Sequence, residues 1–285
     1  MNTDFKISII IPALNEEDYI GGLLTCLTNQ TFKDFEVIVI DGNSWDNTRD
    51  KVLEFAGLMD LRCINALRKG ISFQRNLGVT YAKYDNIVFL DADGYIEDDF
   101  LERIVNYIQK KGDVDIMTTW IEPISTHKID KLLYFTYNQF YLDVIKRIKP
   151  QGGGAFIYIK KSVFNELNGF NEKAYIAEDH DLFARAHKMG FKYHLLKDPT
   201  IKTSIRRMEK QGRLRYIWTM GKGALYMHLV GTIESSKIID YMMDDGGAFY
   251  KLNKFNVTNL QDKFDFLHLK DLKKKKDNNK KETRK

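Results

Sequence analysis

Cysteine is almost absent from this sequence. Cys26 and Cys63 are the only two among 285 residues, with no CxxC and no metal-ligand spacing. This excludes a disulfide framework and a zinc knuckle and leaves both as small core residues. Long apolar runs are missing as well. No window reaches ~18 uninterrupted apolar residues, and the first residues enter a strand-like segment without a basic region followed by a cleavable hydrophobic stretch. Neither a membrane span nor a leader is expected, and the expected compartment is the cytoplasm. Internal repeats are absent too.

The body of the chain also lacks a basic surface. The formal net charge is +5, yet residues 270–285 alone hold nine Lys/Arg against three acidic residues. That end carries +6, and the rest of the chain is therefore near −1. A nucleic-acid-binding enzyme spreads its cations over a groove, so no nucleic-acid partner is expected. The tail reads either as solvated, disordered chain or as a peripheral contact with the cytoplasmic face of an anionic membrane, to which each cation contributes about 1 kcal/mol.

What is present is a globular composition, 44% hydrophobic and 13% aromatic, enough for one large α/β domain with an appendage. Residues 7–12 (ISIIIP) form a β-rich run of the kind buried on both faces of a parallel sheet. Asn15 is placed to cap a helix in which Tyr19, Ile20, Leu23, Leu24 and Leu27 fall at helical spacing. The pattern recurs. A strand at 35–40 ends in Asp41 and leads to a helix at 48–59; a strand at 61–67 leads to a helix at 72–84; a strand at 86–90 ends in Asp91 and Asp93. This alternation predicts an α/β fold, a doubly wound and mostly parallel sheet with a Rossmann-like nucleotide-binding half, whose ligands lie beyond the carboxyl ends of the strands.

Farther along, the spacing predicts a helix to about Lys111, a strand at 115–121 and a strand at 155–159 after Gly152, Gly153 and Gly154. The aromatic stretch 132–145 reads either as a packed amphipathic helix or as a wall facing an acceptor. Residues 214–231 are apolar but broken by Lys222, His228 and three glycines, which argues against a membrane span.

Asp91 and Asp93 stand two apart, so in extended geometry both carboxylates point to one face. Such paired hard oxygen ligands suit Mg²⁺ or Mn²⁺. His180, His187 and His194 recur every seven residues, whereas helical ligand pairs stand three or four apart, and they are read as structural. The glycine run lacks the G-x-x-x-x-G-K-[ST] form and reads as close backbone approach to an acceptor. The loop after the first strand lacks G-x-G-x-x-G, which weighs against a dinucleotide-dependent oxidoreductase.

The motifs IIIPALNEE at 9–17, VIDGNSWDNT at 39–48, RNLG at 75–78, FLDAD at 89–93, GGGA at 152–155, LNGFNE at 167–172 and Glu178-Asp179 before Asp181-Leu182 stand in one order over residues 5–198. In this the chain resembles the inverting family-2 glycosyltransferases, which have the GT-A fold. The resemblance implies an enzyme that moves a sugar from a nucleotide-diphosphate donor to a hydroxyl of a glycan, lipid-linked or protein acceptor. It places Pro12, Ala13, Asn15, Glu16 and Asp41 in the wall of the nucleotide pocket, with Asp41 and the Asp91-Ala92-Asp93 turn reaching base and ribose. It puts Arg75 near the diphosphate, makes Asp93 the main ligand of Mg²⁺ or Mn²⁺ with Asp91 assisting, and makes Asp179 the general base with Glu178 orienting it.

Two positions depart from the pattern: Gly42 stands where many members have a second Asp, and Trp45 where a small residue is usual. The Q-x-x-R-W pattern of processive synthases is absent and residues 204–212 occupy that region, so a single transfer is expected. Arg206 and Arg207 there are read either as bidentate phosphate ligands, which assigns Arg207 to the donor site, or as ion-pair partners near Glu209. A catalytically inactive sugar-nucleotide-binding module is the competing reading, against which the intact Asp93 and Asp179 argue. The expected organisation is a catalytic domain at 1–212, with a nucleotide-binding half to about 100, then a helical extension at 213–269 and the basic tail.

Overall fold

The computed structural model describes residues 4–146 and 150–234. The basic tail and most of the expected extension, from 235 onward, lie outside the described residues.

Four strands make the parallel half of one sheet: β1 (Ile7–Ala13), β2 (Phe35–Asp41), β3 (Leu61–Asn65) and β4 (Asn86–Leu90), in the order β3-β2-β1-β4. Their alternation explains the apolar runs. Ile7, Ile9 and Ile11 of β1 enter one core with Val37 and Val39 of β2, while Ile10, Ile38 and Ile40 enter a second core on the other face. Helices α1 (Ile20–Asn29), α2 (Thr48–Leu53) and α3 (Ile71–Tyr81) make the connections. Leu23, Leu24 and Leu27 of α1 belong to the first core, and Val79 of α3 to the second. Gly78 lets α3 lie directly on β1, since a Cβ there would stand 2.3 Å from a methyl of Ile10.

The second half is mixed. It contains β5 (Gly94–Tyr95), α4 (Phe100–Lys111), β6 (Ile116–Pro123), α5 (Lys128–Thr136), a π-helical turn (Tyr137–Leu142), α6 (Asp143–Ile145), β7 (Phe156–Lys160), α7 (Lys161–Glu166), α8 (Glu178–Lys188), β8 (Tyr193–Thr203), α9 (Arg206–Gln211) and α10 (Arg213–Leu229). Strand β7 runs antiparallel between β4 and β6, β6 pairs with β8 in parallel, and β5 closes the edge antiparallel to β8. The sheet is thus mostly parallel, as the alternation predicts.

Two local expectations are corrected. Asn15 does not cap α1, which begins at Ile20 with no side-chain cap; it sits in the left-handed region at φ 53° and its Oδ1 accepts the Trp45 N–H at 2.9 Å. Helix α2 ends at Leu53 rather than near residue 59: Phe55 turns into the core, and the exposed residues 56–58 continue as turns. Residues 213–229, broken in pattern, form one continuous helix. Among the described residues no helix is long and apolar enough to cross a membrane.

Candidate active site

The carboxyl ends of β1 and β4 open onto a cleft of about 1110 Å³ that is closed on its other side by α5, α8 and α10. Pro12, Ala13, Glu16, Arg75, Asp91, Ala92, Asp93, Glu178, Asp179 and Arg207 all line it. Asn15 and Asp41 do not. Asp41 is buried and its carboxylate accepts the backbone N–H and the hydroxyl of Ser44, while Asn15 donates its N–H to the same hydroxyl at 2.8 Å. Both residues therefore tie the 41–48 loop to the loop after β1. Gln74 joins this knot, donating its amide to the carbonyls of Ala13 and Ile40 at 2.8 and 2.7 Å. The same amide explains Gly42, where a Cβ would stand 3.0 Å from Gln74 Nε2.

Asp91 and Asp93 lie on a turn rather than in the strand, with the Gly94 N–H donating to the Asp91 carbonyl at 3.0 Å. Their carboxylates reach the cleft by different neighbours and not by strand alternation. Burial, partly opposed by Arg75 and reinforced by the charge of Asp93, pushes the Asp91 carboxyl up to about 7. The charge of Asp93 beside the Asp91 carboxyl is a repulsion of the kind that a divalent cation relieves. Among the described residues no cluster of three or more metal-binding side chains occurs. Mg²⁺ takes one or two carboxylates and completes its shell from substrate phosphates and water, so a pair of carboxylates is compatible with it.

Arg75 is fully buried, and its guanidinium spans the site. One nitrogen donates to Glu178 Oε1 at 2.7 Å, the other to Asp91 Oδ1 at 2.8 Å and to the Gly154 carbonyl at 3.2 Å. Burial pulls its proton affinity down, but Asp91, Glu178 and Asp179 outweigh that and hold it above the ordinary value. The expectation of Arg75 beside the diphosphate is therefore refined: the side chain is a buried clamp joining the Asp91 turn to α8.

Glu178 and Asp179 occupy the first turn of α8, where the exposed N–H groups favour negative charge. Burial raises the Glu178 carboxyl, against the pull of Arg75. Asp179 accepts the His180 N–H at 2.8 Å, lines the cleft, and makes no ion pair among the described residues. The cap position belongs to Ala177, held at φ 59°. The glycine run serves close packing, and Gly153 and Gly154 also line the cleft: Cβ atoms would stand 2.6 Å from Thr118 at Gly152, 2.1 Å from Ile121 at Gly153, and 3.0 Å from Arg75 and 3.1 Å from Asp179 at Gly154.

Arg206 reaches two carboxylates of the opposite wall. It grips Glu16 bidentately at 2.6 and 2.7 Å and approaches Asp93 Oδ2 at 3.3 Å. Burial lowers its proton affinity, yet Glu16 and Asp93 hold it well above the ordinary range. Neither sequence alternative included Glu16 because 190 residues separate the pair. Arg207 lines the same cleft.

The aromatic stretch divides between both of its readings. Tyr134, Tyr137 and Tyr141 line the cleft, with the last two rings stacked at 5.3 Å, while Phe135 and Phe140 are exposed. The 134, 137, 141 spacing was the signal for a cleft-facing stripe. Burial and the charge of Asp179 push the Tyr137 phenol well up, so it remains neutral. The histidines are not gathered: His180 lies against Tyr141, whereas His194 in β8 hydrogen-bonds Tyr107 of α4.

Comparison with known proteins agrees with this architecture. Over 223 residues the chain is 27% identical to the amylovoran biosynthesis glycosyltransferase AmsB of Erwinia amylovora, covering 69% of this chain and 68% of that one. It is 39% identical over 90 residues to the UDP-Glc:alpha-D-GlcNAc-diphosphoundecaprenol beta-1,3-glucosyltransferase WfgD of Escherichia coli, covering 32% of this chain and 36% of that protein. The fold matches S. aureus TarS 1–349 in complex with UDP-GlcNAc at a TM-score of 0.58 and 22% identity, over 70% of this chain and 58% of that one. It also matches the mannosyltransferase PcManGT from Pyrobaculum calidifontis in complex with GDP-Man and Mn²⁺ at 0.61 and 19%, over 80% and 72%. The profile described as Glycosyl transferase family 2 covers residues 8–167, more than half of the chain and every motif from β1 to the end of α7, and the chain belongs to that family.

Proposed function

We propose that the protein transfers a single sugar from a nucleotide-diphosphate donor to an acceptor hydroxyl, with inversion at the anomeric carbon. The observation that carries this reading is Asp179: a carboxylate without an ion-pair partner among the described residues, on a helix N-terminus, in the wall of the cleft that also holds the Asp91–Asp93 turn. The donor nucleoside lies against Pro12 and Ala13, beside the loop that Asn15 and Asp41 hold, with Arg207 toward its phosphates. Asp93, assisted by Asp91, would hold Mg²⁺ or Mn²⁺, and such an ion would supply neutralisation of negative charge on the departing diphosphate. Asp179 takes the proton of the acceptor hydroxyl as its oxygen bonds to the anomeric carbon and the bond to the diphosphate breaks. Glu178, fixed by Arg75, keeps Asp179 in place, and holding donor and acceptor in line supplies much of the remaining acceleration.

The sugar nucleotides in the TarS and PcManGT complexes support a donor of this class, and the Mn²⁺ in the latter supports the cation. The diphosphoundecaprenol-linked acceptor in the name of WfgD supports a lipid-linked acceptor, reached from the cytoplasmic face of a membrane to which the basic tail adds attraction.

Asp179→Asn keeps size and hydrogen bonding but cannot take a proton. Turnover should fall about 10² to 10⁴-fold with donor affinity and melting temperature nearly unchanged; a near-wild-type kcat would overturn the base assignment. Excess chelator should remove activity, and Asp93→Ala should abolish both turnover and most of the donor-induced thermal shift. Full activity in chelator would dismiss the cation.

A further inference from the structure

Helix α10 has two apolar sides. Tyr216, Met220 and Met227 line the cleft. On the opposite side Leu214, Trp218 and Leu225 recur at i, i+4 and i+11 and form one stripe, 85%, 67% and 60% exposed. Lys222 stands over the Trp218 ring at 5.1 Å, and Arg215 is exposed on the same flank. No acidic residue occurs in α10.

Helix α5 repeats the design. Leu133 and Tyr134 line the cleft, while Ile129, Leu132 and Phe135 are exposed beside the exposed Lys128 and Lys131. Its one acid, Asp130, is buried and accepts two hydrogen bonds from Arg213 at 2.6 and 2.9 Å and one from Ser125 at 2.6 Å. That pair ties the start of α10 to α5, and the two exposed apolar sides are together termed the ledge. Their outward charge is of one sign only.

An exposed apolar stripe with an aromatic ring, cations on its flank and no anion is complementary to an anionic lipid surface, into which such a helix sinks its apolar side while its cations meet the headgroups. A second copy of the chain would set cation against cation. We propose that the outer sides of α10 and α5 rest on an anionic bilayer and hold the cleft at the membrane surface. This deepens the glycosyltransferase reading, on which only the link to a lipid-borne acceptor depends.

The test is flotation of the full chain with phosphatidylcholine vesicles, with and without phosphatidylglycerol. Wild type should float with the anionic vesicles, and the triple variant L214E/W218E/L225E should lose about tenfold or more of its partition coefficient. Removing residues 270–285 should weaken binding at low salt and leave the part that high salt does not remove, because burial of apolar area is not screened. The triple variant should keep the thermal shift given by UDP with Mn²⁺, since none of the three residues lines the cleft; L225E alone, with a smaller loss, serves if the triple variant melts early. The proposal is overturned if the variants float like wild type, if wild type ignores anionic vesicles, or if the substitutions abolish self-association instead. Flotation without a UDP shift would sustain the ledge and count against the donor site, and the reverse result would do the opposite.

Discussion

Ile10 and Leu225 are both large aliphatic residues in regular elements, yet Ile10 is fully buried at the centre of the sheet and Leu225 stands in solvent on α10. The difference runs through the two regions they represent. In the β1–β4 half each strand sends side chains into cores on both faces, and α3 is close enough to need Gly78. Across the cleft, α5 and α10 bury only the side toward the cleft. Sequence periodicity marks which residues share a side and not what covers that side. The first region holds its site by packing on both faces, the second by the Arg213–Asp130 pair and the small cluster in which Met220, Tyr226 and Met227 pack with Ile176 and Ile233.

Substitutions can break or sharpen this contrast. The largest effect is expected where the two regions meet. Arg75→Met leaves Asp91 and Glu178 buried without their shared cation and should cost about 3–5 kcal/mol in chemical denaturation; a loss below about 1 kcal/mol would show that the clamp is not structural. Next, Ile10→Ala opens a cavity between β1 and α3 and should cost about 2–5 kcal/mol. Gly153→Ala drives a methyl into Ile121 and should cost about 1–3 kcal/mol through displaced backbone, together with reduced turnover because Gly154 and Asp179 are neighbours. The smallest effect belongs to Leu225→Ala, which should stay within about 0.5 kcal/mol in the free protein. A destabilisation like that of Ile10→Ala would mean that the stripe is covered by the protein itself.

Much of the site was legible. Strand ends carrying Pro12 and Asp91 declared where a cleft would open, because apolar runs that stop at polar turns mark the carboxyl edge of a parallel sheet. Motif order singled out Glu178 and Asp179, which line the same cleft as Asp93. What stayed hidden were partnerships across the chain: Arg206 with Glu16, Arg75 with Glu178, and Gln74 with the carbonyls of two strands. Asn15 shows the limit in one residue, since its sequence neighbours suggest a helix cap and only the approach of Trp45 turns it into a loop tie.

By itself the sequence determined the alternation of strands and helices, the two-faced core of the parallel half and the order of the acidic motifs. Each is written in local spacing, with periods of 2 and 3.6 residues that burial enforces along a single element. Tertiary structure alone decided which charge meets which, why three consecutive glycines are needed at 152–154, and which side of α10 faces the cleft. Those outcomes depend on the approach of elements far apart in the chain, where separations of a few ångströms set both desolvation and Coulomb energy and no local pattern records them.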